Sequence, residues 1–183
     1  MPVQIGVRAH AYAEPIGLLS DCHRRIEMFL AALEQAAERL ASPPDPAMSA
    51  GLATALRYFR EAAPKHNADE EASLFPRLRA SGDAAAAAAL DLLARLEAEH
   101  RWADPLHAAV DRLGEKYLCE GPLTTAEADR FRAAVGELRH MYRQHIELED
   151  SVVFPLASSL LSPAEQAAVA REMADRRKSP AAS

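Results

Sequence analysis

Two eleven-residue stretches of this chain are written to one pattern. His66-Asn-Ala-Asp-Glu70-Glu-Ala-Ser-Leu-Phe75-Pro76 returns as His145-Ile-Glu-Leu-Glu149-Asp-Ser-Val-Val-Phe154-Pro155, with His, Glu, Phe and Pro all displaced by 79 positions (145 − 66 = 79). A His and a Glu four residues apart project from the same face of a helix, one turn above each other. A further histidine precedes each pair at a similar remove, His23 and His100 (100 − 23 = 77). The chain therefore reads as a duplicated unit, each half offering one lone His and one His-x-x-x-Glu. Any fold for it must be helical at both copies and must bring the two halves face to face.

The rest of the composition agrees with helices. Ala, Leu, Glu and Arg dominate, Gly numbers 7, aromatics are 5% and no stretch alternates Val, Ile and Thr, which predicts an all-α chain. A length of 183 residues suffices for one domain with its own core, so a metal would be a functional addition and not a folding staple. The net charge of −6 contains no long basic block apart from Arg176-Arg177-Lys178, which argues against nucleic acid or an anionic membrane as partner. Residues Met1 to Glu14 lack an apolar signal core, and the longest apolar run, Ala84 to Leu90, is far too short to span a bilayer. A soluble cytoplasmic protein is expected. In a bundle, Cys22 and Cys119 would stand roughly 30 Å apart at ~1.5 Å of helix rise per residue, against a limit of about 7 Å for a disulfide, so both are expected as thiols.

Taken in order, residues 1–14 read as a loose arm and Pro15 opens helix one, which runs to about Ala41 with Ile16, Leu19, His23, Ile26, Leu30, Leu33, Ala37 and Leu40 on a heptad seam. Helix two spans about Ala47 to Arg79, with Leu52, Leu56, Phe59, Ala63, His66, Glu70 and Ser73 inward, a kink expected at Pro64 and a break near Phe75. Helix three spans about Asp83 to Cys119, opening on an alanine run and carrying Leu93, Leu96, His100, Ala103, His107, Val110, Gly114 and Tyr117, with Pro105 expected to kink it. Thr124 and Glu127 make a capping box for helix four, which runs to about Ala157 with Phe131, Val135, Leu138, Tyr142, His145, Glu149, Val152 and Leu156 inward. Ser162 to Glu165 cap a short final helix before a disordered tail, so residues 161–183 are set apart from a bundle over 15–160. The expected architecture is an up-down-up-down antiparallel four-helix bundle with a short C-terminal helix. Counted from the turns near Pro44 and Gly121, all four seam histidines fall at one level, to within about a helical turn.

Four imidazoles and two carboxylates at one level of a bundle point to a metal, because buried ionised carboxylates are costly unless paired, and no Lys or Arg stands on the seams beside them. The set is too large for one tetrahedral zinc and too rich in nitrogen for calcium or magnesium. It suits a pair of iron ions, with manganese as second choice and zinc less favoured. His23, His66, His100 and His145 would be terminal ligands, two per ion, with Glu70 and Glu149 bridging. Iron pairs in ferritin-like bundles use Glu-x-x-His, whereas this chain uses His-x-x-x-Glu.

A lone His, a His-x-x-x-Glu with Phe-Pro, another lone His and a second His-x-x-x-Glu with Phe-Pro, over about residues 15–160, resemble the hemerythrin-like HHE cation-binding family. The resemblance implies a four-helix bundle holding a non-haem di-iron centre, oxo- or hydroxo-bridged. It also implies roles among oxygen carriage, oxygen or nitric oxide sensing, peroxide handling and iron donation for iron–sulphur cluster repair. The oxygen carriers resemble a His-x-x-x-His on helix three, and here the second position is Asp104. The expected function is a binding or sensing module that reacts with a small diatomic or peroxide ligand, with enzymatic peroxide removal or iron donation as the alternative; no protein partner is indicated. Glu27 and Asp104, each four residues after a candidate histidine, are either additional ligands or exposed flanks. Tyr142 is read as core or as lining the small-molecule route, His107 as too far along its helix to join the ions, and His140 and His10 as solvated.

Overall fold

A computed structural model describes residues 14–178. The expected arm before Glu14 and the tail beyond Lys178 fall outside those residues. Among the described residues there are helices and no strands. Helix α1 is Pro15–Ala37, closed by turns that reach Ala41. Helix α2, Pro46–Glu61, starts on the Asp45 side chain, which accepts the Met48 N–H at 3.1 Å, and ends at Ala62 because Pro64 belongs to the first turn of a new helix, α3, Ala63–Asp69. A five-residue π-turn, Glu70–Leu74, then leads into α4, Phe75–Ala80.

The alanine run forms α5, Ala84–Ala88, capped by Asp83, before α6, Leu90–Glu120, which runs through Pro105 as one helix. Helix α7, Thr125–Leu148, begins at the expected Thr124–Glu127 capping box; a second π-turn, Glu149–Val153, and α8, Phe154–Leu160, complete the fourth arm. Helix α9, Pro163–Lys178, comes after a Ser162–Glu165 cap in which Glu165 Oε2 accepts the Ser162 N–H at 2.8 Å.

Helix α1 packs against α2 and α7, and α6 packs against the same two. The connections between arms are tied to each other, since the Leu123 N–H donates to the Leu40 carbonyl at 2.8 Å. Apolar side chains gather in two separate clusters. One holds Ile26, Leu33, Leu56, Ala103, Phe131, Leu138 and Tyr142, and the other holds Leu19, Leu74, Phe75, Leu96, Val153, Phe154 and Met173. Along each arm the candidate ligands lie between the two: His23 between Leu19 and Ile26, His66 and Glu70 between Ala63 and Leu74, His100 between Leu96 and Ala103, His145 and Glu149 between Tyr142 and Val153. A polar layer thus divides the core. Helix α9 closes the second cluster with Val169 and Met173 and lies against α1, α3 and the first π-turn. No described helix is long and apolar enough to cross a membrane, and Cys22 and Cys119 are both free thiols.

The heptad seams hold except where the π-turns intervene. Val152, expected inward, is 41% exposed, and Leu156 is only half-buried. A π-turn inserts one residue, which rotates the downstream helix by ~100° at 3.6 residues per turn. Val153, Phe154 and Ala157 therefore take the inward positions.

Candidate metal centre

Each His-x-x-x-Glu straddles the junction between an α-helix and a π-turn, and proline accounts for the junction. Pro76 has no N–H for the Ala72 carbonyl, so a continuous α-ladder would be broken there. Widening one turn lets the Phe75 N–H reach back five residues to the Glu70 carbonyl, and a fresh α segment begins with Pro76 in its first turn, where no N–H is needed. The second copy does the same, with the Phe154 N–H on the Glu149 carbonyl and Pro155 in the first turn of α8. The Phe-Pro after each glutamate is thus what fixes the backbone at that glutamate.

All six candidate residues converge and are buried, Glu70 and Glu149 completely. Their contacting atoms face one another. His66 Nε2 lies 3.2 Å from Glu70 Oε1 and His145 Nε2 lies 3.3 Å from Glu149 Oε2, each within its own helix. Across helices, His23 Nε2 lies 3.1 Å from Glu149 Oε2 and 3.9 Å from Glu70 Oε1, and His100 Nε2 lies 3.6 Å from Glu70 Oε2 and 3.0 Å from His145 Nε2. Two groups of four result, His23, His66, Glu70 and Glu149, and Glu70, His100, His145 and Glu149, each with its ligand atoms within 4.8 Å of one another. Both groups contain both glutamates.

The opposite edges of three of the four rings are held by carboxylates to which the sequence alone assigns no role. His23 Nδ1 is 3.1 Å from Asp150 Oδ1, His100 Nδ1 is 2.7 Å from Glu71 Oε1, and His145 Nδ1 is 2.9 Å from Glu99 Oε2. An N–H donated from Nδ1 to a carboxylate fixes the tautomer that leaves Nε2 with its lone pair inward. Glu71 and Asp150 each come directly after a candidate glutamate in the repeat, so the acidic residue after each Glu is a visible signal; that each serves a histidine of a different arm is not. Phe154 stacks on the His23 ring at 5.1 Å between centroids.

The donor set is short of hydrogen bonds. Both oxygens of Glu70, both of Glu149 and Nε2 of His23 are buried without a well-formed hydrogen bond, a state that costs several kcal/mol per charge unless a cation compensates it. With the protein's own charges alone, burial and the neighbouring Glu149 push the Glu70 carboxyl well above its ordinary range, and burial pushes His66 well below its own. Burial opposes charge on His23 as well, but the hydrogen bond to Asp150 and the close Glu149 carboxylate more than offset it and lift it to about 9. Burial raises Glu149, and the imidazoles of His145 and His23 reverse that and leave it lowered. Two glutamates equivalent by repeat are thus driven in opposite directions, the mark of too few positive charges for two carboxylates. A site of imidazole nitrogens and carboxylate oxygens facing inward, whose remaining protons a cation would displace, fits metal cations.

The other candidates stand apart from this cluster. Glu27 and Asp104 are exposed and belong to neither group of four. His107 accepts or donates at 2.9 Å to the Tyr142 hydroxyl and stacks on Phe59, and Tyr142 lies edge-on to His145 at 6.2 Å between centroids. His140 is exposed beside Gln144, and His10 lies outside the described residues.

No curated protein matches the sequence. The family model described as the hemerythrin HHE cation-binding domain matches residues 14–157, and the chain belongs to that family.

Proposed function

We propose that the chain binds two iron ions in its polar layer and reacts there with a small oxidant, namely dioxygen, nitric oxide or peroxide. The observation that carries the reading is the overlap of the two four-residue groups, which share Glu70 and Glu149 and divide the histidines two and two. His23 and His66 would hold one ion, His100 and His145 the other, and the two glutamates both. Mixed imidazole and carboxylate donors favour iron, with manganese and zinc as weaker occupants. The reading includes an up-down-up-down bundle, supported by the mutual packing of α1, α2, α6 and α7, and a cytoplasmic setting in which the thiols stay reduced.

Iron held this way supplies one-electron chemistry toward such ligands. The protein's part is to orient the imidazoles through Asp150, Glu71 and Glu99 and to exclude water through the apolar clusters above and below. The Tyr142 hydroxyl stands beside the layer, bonded to His107 at 2.9 Å. A protonated hydroxyl at that place favours a second reading, turnover of peroxide, because cleaving an oxygen–oxygen bond needs a proton donor. Asp104, exposed where an oxygen carrier would offer another imidazole, supports reaction in preference to reversible oxygen carriage.

Elemental analysis of iron-grown protein, with spectra of the anaerobically reduced form before and after each oxidant, tests the reading. The expected result is about two irons per chain, prompt spectral change with at least one oxidant, and loss of metal in both Glu70→Gln and Glu149→Gln. One tightly bound zinc that survives His100→Ala would overturn it.

A further inference from the structure

The first π-turn is gripped from outside by ion pairs that its copy lacks. Asp69, immediately before Glu70, is 0% exposed, and each of its oxygens is held by a different arginine of α9, Oδ1 by Arg176 Nη1 at 2.8 Å and Oδ2 by Arg177 Nη2 at 2.6 Å. Arg176 Nη2 also donates to Ser73 Oγ at 2.6 Å. From the other side, Arg77 Nη1 donates to the Ser73 carbonyl at 2.6 Å while Glu172 of α9 holds the same guanidinium at 2.7 and 3.1 Å. Of the gripped residues, Asp69 closes α3 directly before Glu70 and Ser73 lies on the widened turn itself. At the 79-residue displacement their counterparts are Leu148 and Val152, and that of Arg77 is Leu156, none of which can form such a bond from its side chain.

The asymmetry coincides with another. His66 Nδ1 is buried without a partner, whereas its counterpart His145 is held by Glu99. The residue in the place of Glu99 is Cys22 (99 − 77 = 22). A π-turn is wider and more weakly bonded than the α-turns around it, so its backbone needs external support if the side chains it carries are to be held to a fixed geometry. Charge-assisted bonds to a buried carboxylate supply that support.

We infer that α9 is a positioning element of the metal centre: Arg176 and Arg177 through Asp69, and Glu172 through Arg77, lock the first π-turn so that Glu70 and His66 are presented to the ion. What Glu99 does for His145 by touching its ring, α9 does for His66 by fixing the backbone that carries it. The inference rests on the metal reading above. Arg176, Arg177 and Glu172 are positioning residues, since none is among the six converging side chains.

The test uses the full chain with Co2+ as probe, comparing wild type, R176Q/R177Q and R176K/R177K. Amide exchange of the metal-free chains is measured at Glu70–Leu74 and Glu149–Val153, and release of Co2+ to a chelator is monitored by its visible absorption. In R176Q/R177Q the first π-turn should lose protection while the second keeps it, and Co2+ release should accelerate by roughly ten- to a hundredfold, the usual effect of removing support behind a ligand. R176K/R177K, which keeps the charges, should restore part of both. Equal loss of protection at the two turns, or unchanged release, overturns the inference. If R176Q/R177Q does not fold, Arg77→Gln removes the grip from the other side and the same exchange comparison decides. If wild type takes up no Co2+, the metal reading falls, while the exchange comparison still decides whether α9 holds the turn.

Discussion

His107 offers a perturbation whose size can be worked from its surroundings. Its ring is packed on Phe59 and bonded to the Tyr142 hydroxyl, and burial pushes its pKa from 6.5 down to about 4. The fold therefore favours the neutral ring, and between those two values the unfolded chain binds more protons than the folded one. Stability from this group is complete above pH 6.5 and is lost as pH falls toward about 4. A shift of that size, at ~1.36 kcal/mol per pKa unit, is worth about 3 kcal/mol. His107→Gln keeps a hydrogen-bonding side chain of similar reach and removes the titration. Urea unfolding of metal-free wild type and variant at about pH 7 and about pH 4 isolates the effect, because every other titrating group is common to both. The variant should begin somewhat less stable, having lost its stacking on Phe59, and wild type should then lose about 3 kcal/mol more than the variant on acidification. Parallel pH profiles would refute the reasoning and place His107 in water.

Two further outcomes are expected from the same structure. Asp150→Asn and Glu99→Gln leave all six converging side chains in place but weaken the bonds that aim His23 and His145; each should cost roughly 10- to 100-fold in metal affinity, read by competition with a chromophoric chelator, and unchanged affinity would mean the rings are held by packing alone. Phe131→Ala removes a fully buried ring from the apolar cluster at the turn side of the layer and should destabilise by about 3–5 kcal/mol in thermal or urea unfolding with metal stoichiometry unchanged.

Much of the fold is legible in the sequence because the repeat and the heptads report on the same geometry. His23, His66, His100 and His145 can be set at one level by counting from two turns, and the counting succeeds since helix rise is nearly constant. It fails where rise and rotation change. A heptad carried straight through Glu149 places Val152 and Leu156 inward, and the inserted residue of the π-turn moves the seam to Val153 and Phe154. Pro155 is visible as a breaker, but a proline says only that the ladder is interrupted, not whether the chain kinks, stops or widens. The partners of the histidines are half-legible: Glu71 and Asp150 stand in the repeat as acidic neighbours of Glu70 and Glu149, yet each serves a histidine on another arm, and periodicity within one helix carries no information about that pairing. Asp69 escapes a reading of the sequence for the same reason, since the arginines that neutralise it arrive from α9, more than a hundred residues away along the chain.

The divided core has a mechanical meaning. Hydrophobic contact normally welds a small domain into one cooperative unit, because every apolar side chain is linked to the rest through neighbours of its own kind. Here the weld is interrupted: Leu19, Leu96 and Phe154 belong to one body of contacts, and Ile26, Ala103 and Tyr142 to another, on the same helices. Between them imidazoles and carboxylates line the section, and those repel or attract according to the charge placed among them. Filling the site would therefore add a tie between two bodies that the helices already join, as a rivet does for two plates already held along their edges.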